Sequence, residues 1–172
     1  MDVEKTYFIT PAQHAEIIAL IENPKLYIET TITASWVHPE FKSVTEKFYV
    51  LAMTHLLATQ YNKDVTVVVN GDNIIEAGYY AKSFWELLDT INRKTNKANP
   101  KSTSFKIGDR FVHFSSEKNA GRHLSPLNGS VIIAIGLNRE IKEENMRGIM
   151  GCIGGGGCKI IYLKDKEENK HK

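Results

Sequence analysis

The chain has 172 residues, of which 42% are hydrophobic and 24% are charged, and its formal net charge is +2. This length and composition are typical of one globular domain with its own hydrophobic core, and they exclude a disordered or fibrous chain. No segment approaches the roughly 20 apolar residues of a membrane helix, and Asp2 and Glu4 differ from the basic start of a signal peptide, so we expect a cytoplasmic protein without membrane contact.

The first predicted element is a helix over residues 11–22. Thr10 is a candidate N-cap, and Gln13 stands three residues later, where it completes a capping box. A β-branched and aromatic run then predicts a strand over residues 26–33.

A long helix is predicted over residues 44–62, opened by the capping box Ser43–Glu46. His55 lies on its apolar stripe, so we expect a core histidine rather than a metal ligand. Residues 64–69 are so apolar that they predict a strand buried within the sheet.

Residues 70–73, Asn-Gly-Asp-Asn, have the composition of a hairpin turn, and residues 74–77 are the expected returning strand. A helix is predicted over residues 79–94. The polar loop over residues 95–104 is the one plausible boundary between two sub-halves.

The remaining elements follow the same signals of apolar runs, turn residues and caps. They are strands over 105–107, 110–114, 130–137 and 158–163, a loop over 116–129 that is a candidate site rim, a helix over 139–150, and a charged tail over 164–172.

These elements predict an α+β fold: a mixed, mainly antiparallel sheet of five to six strands covered by three to four helices. The long loops and the hairpin at residues 70–73 interrupt any strict alternation of strand and helix. We expect one domain over residues 1–163.

The run Gly154-Gly155-Gly156-Gly157 is the most unusual segment of the sequence. Bare backbone amides can bind anions, but a standard phosphate loop lies between a strand and a following helix. Here the predicted order is helix, glycines, strand, so Arg147, Lys159 or a basic residue from the middle of the chain would have to supply the positive charge. A structural turn, an anion-binding cradle and an oligomer contact all remain open.

The only cysteines, Cys152 and Cys158, flank this run. Their separation of six residues does not match the usual zinc pair, so we expect no metal and no cofactor. Buried, inert thiols are favoured over a reactive pair.

A second group of candidate residues lies around the loop over 116–129. His113 and His123 are candidate catalytic residues, and with Ser115 and Arg122 they could converge on a phosphorylated or carboxylate substrate. Loop surface is the simpler interpretation.

Charge and aromatic residues extend the candidate ligand site. Residues 1–77 carry 5 basic and 10 acidic side chains, whereas residues 78–126 carry 9 basic and 4 acidic. This asymmetry suits an anionic partner or self-association. Trp36 could stack on a base or pack in a corner of the core.

Residues 49–78 contain the segment Leu57-Ala58-Thr59-Gln60-Tyr61-Asn62-Lys63-Asp64-Val65, which leads into an apolar strand and a turn. This segment resembles the helix-to-strand region of small phage-encoded S-adenosylmethionine lyases and related phage accessory proteins. The resemblance implies a ferredoxin-like α+β fold, a homo-oligomer and a phage origin. It transfers no catalytic residue, because the acidic active-site segment of that family has no counterpart here.

The leading functional hypothesis is a binding protein for an anionic, nucleotide-like small molecule, which in a phage would sequester a signalling nucleotide. The predicted ligand contacts are Trp36, Arg122, Arg147, Gly154, Gly155, Gly156, Gly157 and Lys159. One alternative is an enzyme acting on a nucleotide or S-adenosylmethionine, and another is a protein-interaction or inhibitor module. Nucleic acid is a less favoured partner, because the net charge is small.

Overall fold

The computed structural model describes residues 2–31, 45–69, 74–91, 103–117, 130–136 and 158–164. The helix predicted over residues 139–150 and most of the two polar loops lie outside these ranges. So does the charged tail except for Lys164, which is the last residue of a strand.

The described elements are four helices and six strands in one sheet. The helices are α1 (Val3–Thr6), α2 (Pro11–Glu22), α3 (Thr45–Thr59) and α4 (Ile74–Ile91). The strands are β1 (Tyr27–Thr31), β2 (Asp64–Val69), β3 (Ser104–Ile107), β4 (Arg110–Ser116), β5 (Ser130–Gly136) and β6 (Lys159–Lys164). The α+β class and the number of strands are as predicted.

Helix α2 begins at the predicted capping box. The hydroxyl of Thr10 accepts a hydrogen bond from the Gln13 amide at 3.1 Å, and the Gln13 side chain accepts one from the Thr10 amide at 2.8 Å. Two amide groups that the first turn leaves without helical partners are therefore satisfied locally.

We expect Thr10→Ala to lower the free energy of unfolding by about 1 kcal/mol, because it removes the side-chain half of this cap. Urea unfolding followed by circular dichroism measures the change. Thr59→Ala is the matched control, since the Thr59 hydroxyl donates only to the His55 carbonyl within α3. Equal losses in the two variants would contradict a capping role for Thr10.

The sheet order is β1-β6-β5-β2-β4-β3. All neighbouring pairs are parallel except β3 with β4, which is antiparallel. The prediction of a mainly antiparallel sheet is therefore wrong in strand direction. A ferredoxin-like sheet, as the resemblance over residues 49–78 implied, also differs from this arrangement, because β2 has a parallel partner on each side.

The error arose at the predicted hairpin. Residues 74–77 are not a returning strand but the first turn of α4, which runs to Ile91. Ala77, Tyr80, Ala81 and Phe84 are all buried, at the spacing of one helical face. After α4 the chain enters β3 at the edge of the sheet, and the antiparallel connection from β3 to β4 brings β4 parallel to β2.

The sheet joins the two predicted sub-halves. Strand β2 precedes the polar loop over 95–104, and its two neighbours β4 and β5 follow that loop in the chain. Each sub-half therefore contributes central strands to the same sheet.

Both faces of the sheet are buried, as expected of parallel strands. On the first face, the side chains of Val67, Phe114 and Ile133 join the four helices in one hydrophobic cluster. On the second face, Val68, Ile132 and Ile160 belong to a separate cluster that contains no residue of these helices. Among the described helices, none is long and apolar enough to cross a membrane.

Candidate functional site

Most of the predicted ligand-contacting residues lie outside the part of the chain that the structure describes. These are Trp36, Arg122, Arg147, Gly154, Gly155, Gly156 and Gly157, together with the candidate catalytic residue His123. The structure does describe Lys159, a predicted ligand contact, and His113, a candidate catalytic residue.

Lys159 lies at the amino end of β6, where its amine interacts with the end of α2. The Nζ atom donates to the carbonyl of Ile21 at 3.1 Å and to the carbonyl of Asn23. Burial, with a further contribution from the charge of Lys63, lowers the pKa of Lys159. Its first role is thus to bind carbonyl groups left without amide partners at the end of a helix.

The glycine run directly precedes Cys158 in the sequence, and Cys158 is fully buried. Cys158 directly precedes the amino end of β6. This is the edge of the sheet opposite to the one at which the parallel strands end. The link between the run and an anion stays a prediction.

His113 lies in the middle of β4 rather than at a loop. It is the register partner of Ser104, and its Nδ1 atom is 2.6 Å from the Ser104 hydroxyl oxygen. Ser115 follows two residues later on the same face of the strand and is buried. The structure thus brings His113 and Ser115 onto one face.

The five parallel strands all end at one edge of the sheet, which we call the carboxyl edge. From β2 the chain continues through α4 to β3 and then β4 on one side, whereas from β5 it continues to β6 on the other side. Because β2 and β5 are neighbours, the connections that leave their carboxyl ends diverge. In open parallel sheets, ligands bind in the crevice that forms at such a reversal.

Three consecutive polar residues lie at the carboxyl end of β4, next to this reversal. Ser115, Ser116 and Glu117 are exposed by only 5%, 2% and 1%. The Ser115 hydroxyl donates to the Ser116 carbonyl at 3.2 Å. Buried hydroxyl and carboxylate groups are costly unless they have partners, and all three residues take part in interactions within the protein.

Sequence reasoning placed a candidate site rim at residues 116–129 but named neither Ser116 nor Glu117 as site residues. The available signal was the change from the apolar run of β4 to Ser-Ser-Glu. Its meaning depended on knowing that β4 is a parallel neighbour of β2.

On the other side of the reversal, Gly136 ends β5 and Lys164 ends β6. The two residues are register partners. Gly136 offers backbone without a side chain, and Lys164 carries a positive charge whose Nζ atom is 3.7 Å from Glu29 Oε2. The carboxyl edge therefore combines a glycine that ends a strand, a cation and buried polar groups.

His55 is a core residue, as the sequence predicts. Its side chain is 6% exposed, and the Tyr7 hydroxyl oxygen lies 3.2 Å from its Nδ1 atom. Burial lowers the pKa of His55 to about 4. The imidazole is thus neutral at physiological pH and belongs to the packing of α1 on α3.

Comparisons with protein-family models, with curated proteins and with solved structures found no match. The resemblance to phage S-adenosylmethionine lyases therefore stays a prediction.

Proposed function

We propose that the protein binds an anionic, nucleotide-like small molecule at the carboxyl edge, in the crevice between β2 and β5. The observation that carries this proposal is the reversal of winding between these two neighbouring strands. At such a reversal the loops part, so a ligand can reach backbone amides at the strand ends.

The residues flanking the reversal offer different groups to such a ligand. Lys164 supplies a positive charge for a phosphate, and Gly136 lets the phosphate approach the backbone. On the other side, the buried residues Ser115, Ser116 and Glu117 have partners within the protein and fix the end of β4 beside the crevice. Strands β6 and β4 lie three strand spacings apart, so a ligand that contacts both sides of the reversal spans about 14 Å.

We further propose that the protein acts in the cytoplasm as a homo-oligomer, as a phage accessory protein that sequesters its ligand. The excess of basic residues over 78–126 supports an anionic partner. Analytical ultracentrifugation of the purified protein tests the oligomer; a monomer at all concentrations would contradict it.

We expect isothermal titration calorimetry to show saturable binding of at least one of AMP, ATP and cyclic AMP, and weaker binding of adenosine. Lys164→Met should raise the Kd about tenfold, because a charge-assisted hydrogen bond is lost. Lys106→Met is the matched control, since Lys106 is an exposed lysine that lies over Phe111 at the amino end of β4.

No saturable binding by the wild-type protein, or equal Kd values for wild type and Lys164→Met, would contradict the proposed site. The fate of the nucleotide separates binding from catalysis. We expect intact nucleotide after incubation and denaturation. Loss of more nucleotide than protein present would instead indicate an enzyme, for which His113 is the first residue to replace.

A further inference from the structure

We propose a second anion-binding site at the amino edge of the sheet, specific for a phosphate or phosphomonoester group. It is a cleft of about 230 Å³ between the carboxyl ends of α2 and α3 and the amino ends of β5 and β6. Three lysines line it, namely Lys25, Lys63 and Lys159. We call it the lysine cleft.

The three lysines come from three different parts of the chain. Lys25 follows α2, Lys63 precedes β2, and Lys159 begins β6. The end of α3 positions Lys63: Asn62 adopts a left-handed φ of 57°, and the Lys63 amide donates to the Leu57 carbonyl at 2.9 Å. The convergence is therefore a product of the fold and not of a local motif.

Within the described part of the chain, the lysine charges are not balanced by an acid among the lining residues of the cleft. None of the described lining residues is acidic. Within the ranges that the structure describes, neither Lys25 nor Lys63 has an ion-pair partner. The negative ends of α2 and α3 offset only part of three full charges.

Lys159 is the innermost of these groups, since it already contacts carbonyls of α2 with its Nζ atom. An ammonium group has three donors, so one remains for an anion in the cleft. The lowered pKa of Lys159 reflects burial and the charge of Lys63. The negative charge of a bound dianion would oppose this lowering of the pKa, which gives the site a measurable signature.

The other walls limit the size of the ligand. Leu57 and Val131 are buried and apolar, whereas Tyr61 and Ser130 carry hydroxyl groups. The Tyr61 hydroxyl donates to Glu22 at 2.7 Å, which holds the end of α3 against α2. The cleft is smaller than the roughly 300–1,000 Å³ of drug-sized ligand sites, so it fits one phosphate group rather than a whole nucleotide.

Calorimetry with inorganic phosphate tests the site without reference to the nucleotide. We expect saturable binding by the wild-type protein and a Kd at least tenfold higher for the double variant Lys25→Met/Lys63→Met. Lys159 is left intact in this variant, because its amine also supports α2. Lys106→Met should bind phosphate as the wild type does.

A second measurement follows the protonation of Lys159 by NMR of its side-chain carbon next to Nζ. Phosphate should raise the pKa of Lys159 in the wild type and leave it unchanged in the double variant. Ribose 5-phosphate in place of inorganic phosphate shows whether the group can be part of a larger ligand. A tighter Kd for ribose 5-phosphate would identify a phosphomonoester, and a tighter Kd for inorganic phosphate would identify the free ion.

Phosphate binding that is absent from the wild type, or unaffected in the double variant, would overturn this proposal. The two sites are separable, because Lys164→Met should keep the phosphate response of the lysine cleft. Conversely, the double variant should keep the nucleotide affinity assigned to the carboxyl edge.

Discussion

Phe84→Ala is expected to lower the free energy of unfolding by about 3–5 kcal/mol, the usual range for truncation of a buried aromatic side chain. Phe84 lies on α4 and is fully buried. Its ring centroid is 5.8 Å from that of Phe105 on β3 and 5.5 Å from that of Phe114 on β4.

The size of this effect follows from the position of the ring. Phe105 and Phe114 also contact each other at 6.1 Å, so the three rings form one cluster between α4 and the sheet. Removal of Phe84 leaves a cavity and ends two aromatic contacts, each worth about 0.5–1.5 kcal/mol beyond buried area. The same cluster holds α4 over the strand that carries Ser115, Ser116 and Glu117.

Urea unfolding followed by circular dichroism measures the loss. Phe111→Ala is the matched control, because Phe111 is on the same strand as Phe114 but 47% exposed. It should cost about 1 kcal/mol. A loss below about 1 kcal/mol for Phe84→Ala would show that α4 is not held by this cluster.

The second large effect is a dependence of stability on pH that originates at His55. Burial lowers the pKa of His55 to about 4 from its usual 6.5. Because the pKa is lower in the folded state, the unfolded chain takes up the proton first as the pH falls. The stabilisation is complete above about pH 6.5 and is lost progressively between pH 6.5 and pH 4, to a total of about 3 kcal/mol.

The contact with Tyr7 is compatible with a neutral imidazole. The two rings are 5.6 Å apart, and burial raises the pKa of Tyr7, so its hydroxyl keeps its proton. A neutral imidazole with its proton on Nε2 accepts that hydroxyl at Nδ1. Protonation of Nδ1 would remove this acceptor and place a charge in a buried site.

Urea unfolding at several pH values between 7.5 and 4 tests this origin. His55→Gln retains a hydrogen-bonding side chain but does not titrate, so its stability should fall less steeply than that of the wild type. His14→Gln is the control, because His14 is half-buried and pairs with Glu4 at 2.7 Å. Parallel curves for the wild type and His55→Gln would exclude His55 as the source.

Several predictions from the sequence succeeded because their causes are local. The capping box of Thr10 and Gln13 involves residues three apart, and it marks the start of α2 correctly. The apolar run over residues 64–69 identified β2 as a central strand. His55 was assigned to the core from its place on one helical stripe.

The hairpin prediction failed because the local sequence is compatible with two different structures. Asn-Gly-Asp-Asn is compatible with a hairpin turn and also with a loop before a helix, and local turn chemistry does not distinguish them. The burial of Ala77, Tyr80 and Phe84 against the sheet selects the helix. That packing is tertiary, and the antiparallel pairing of β3 with β4 then sets β4 parallel to β2.

By itself the sequence determined the α+β class, the ends of α2 and the core role of His55, because each depends on periodicity or on contacts within one element. Only the tertiary structure decided the strand order, the reversal between β2 and β5, and the convergence of Lys25, Lys63 and Lys159. These features join residues far apart in the chain. Their meeting depends on which apolar faces pack together, and no local pattern records that choice.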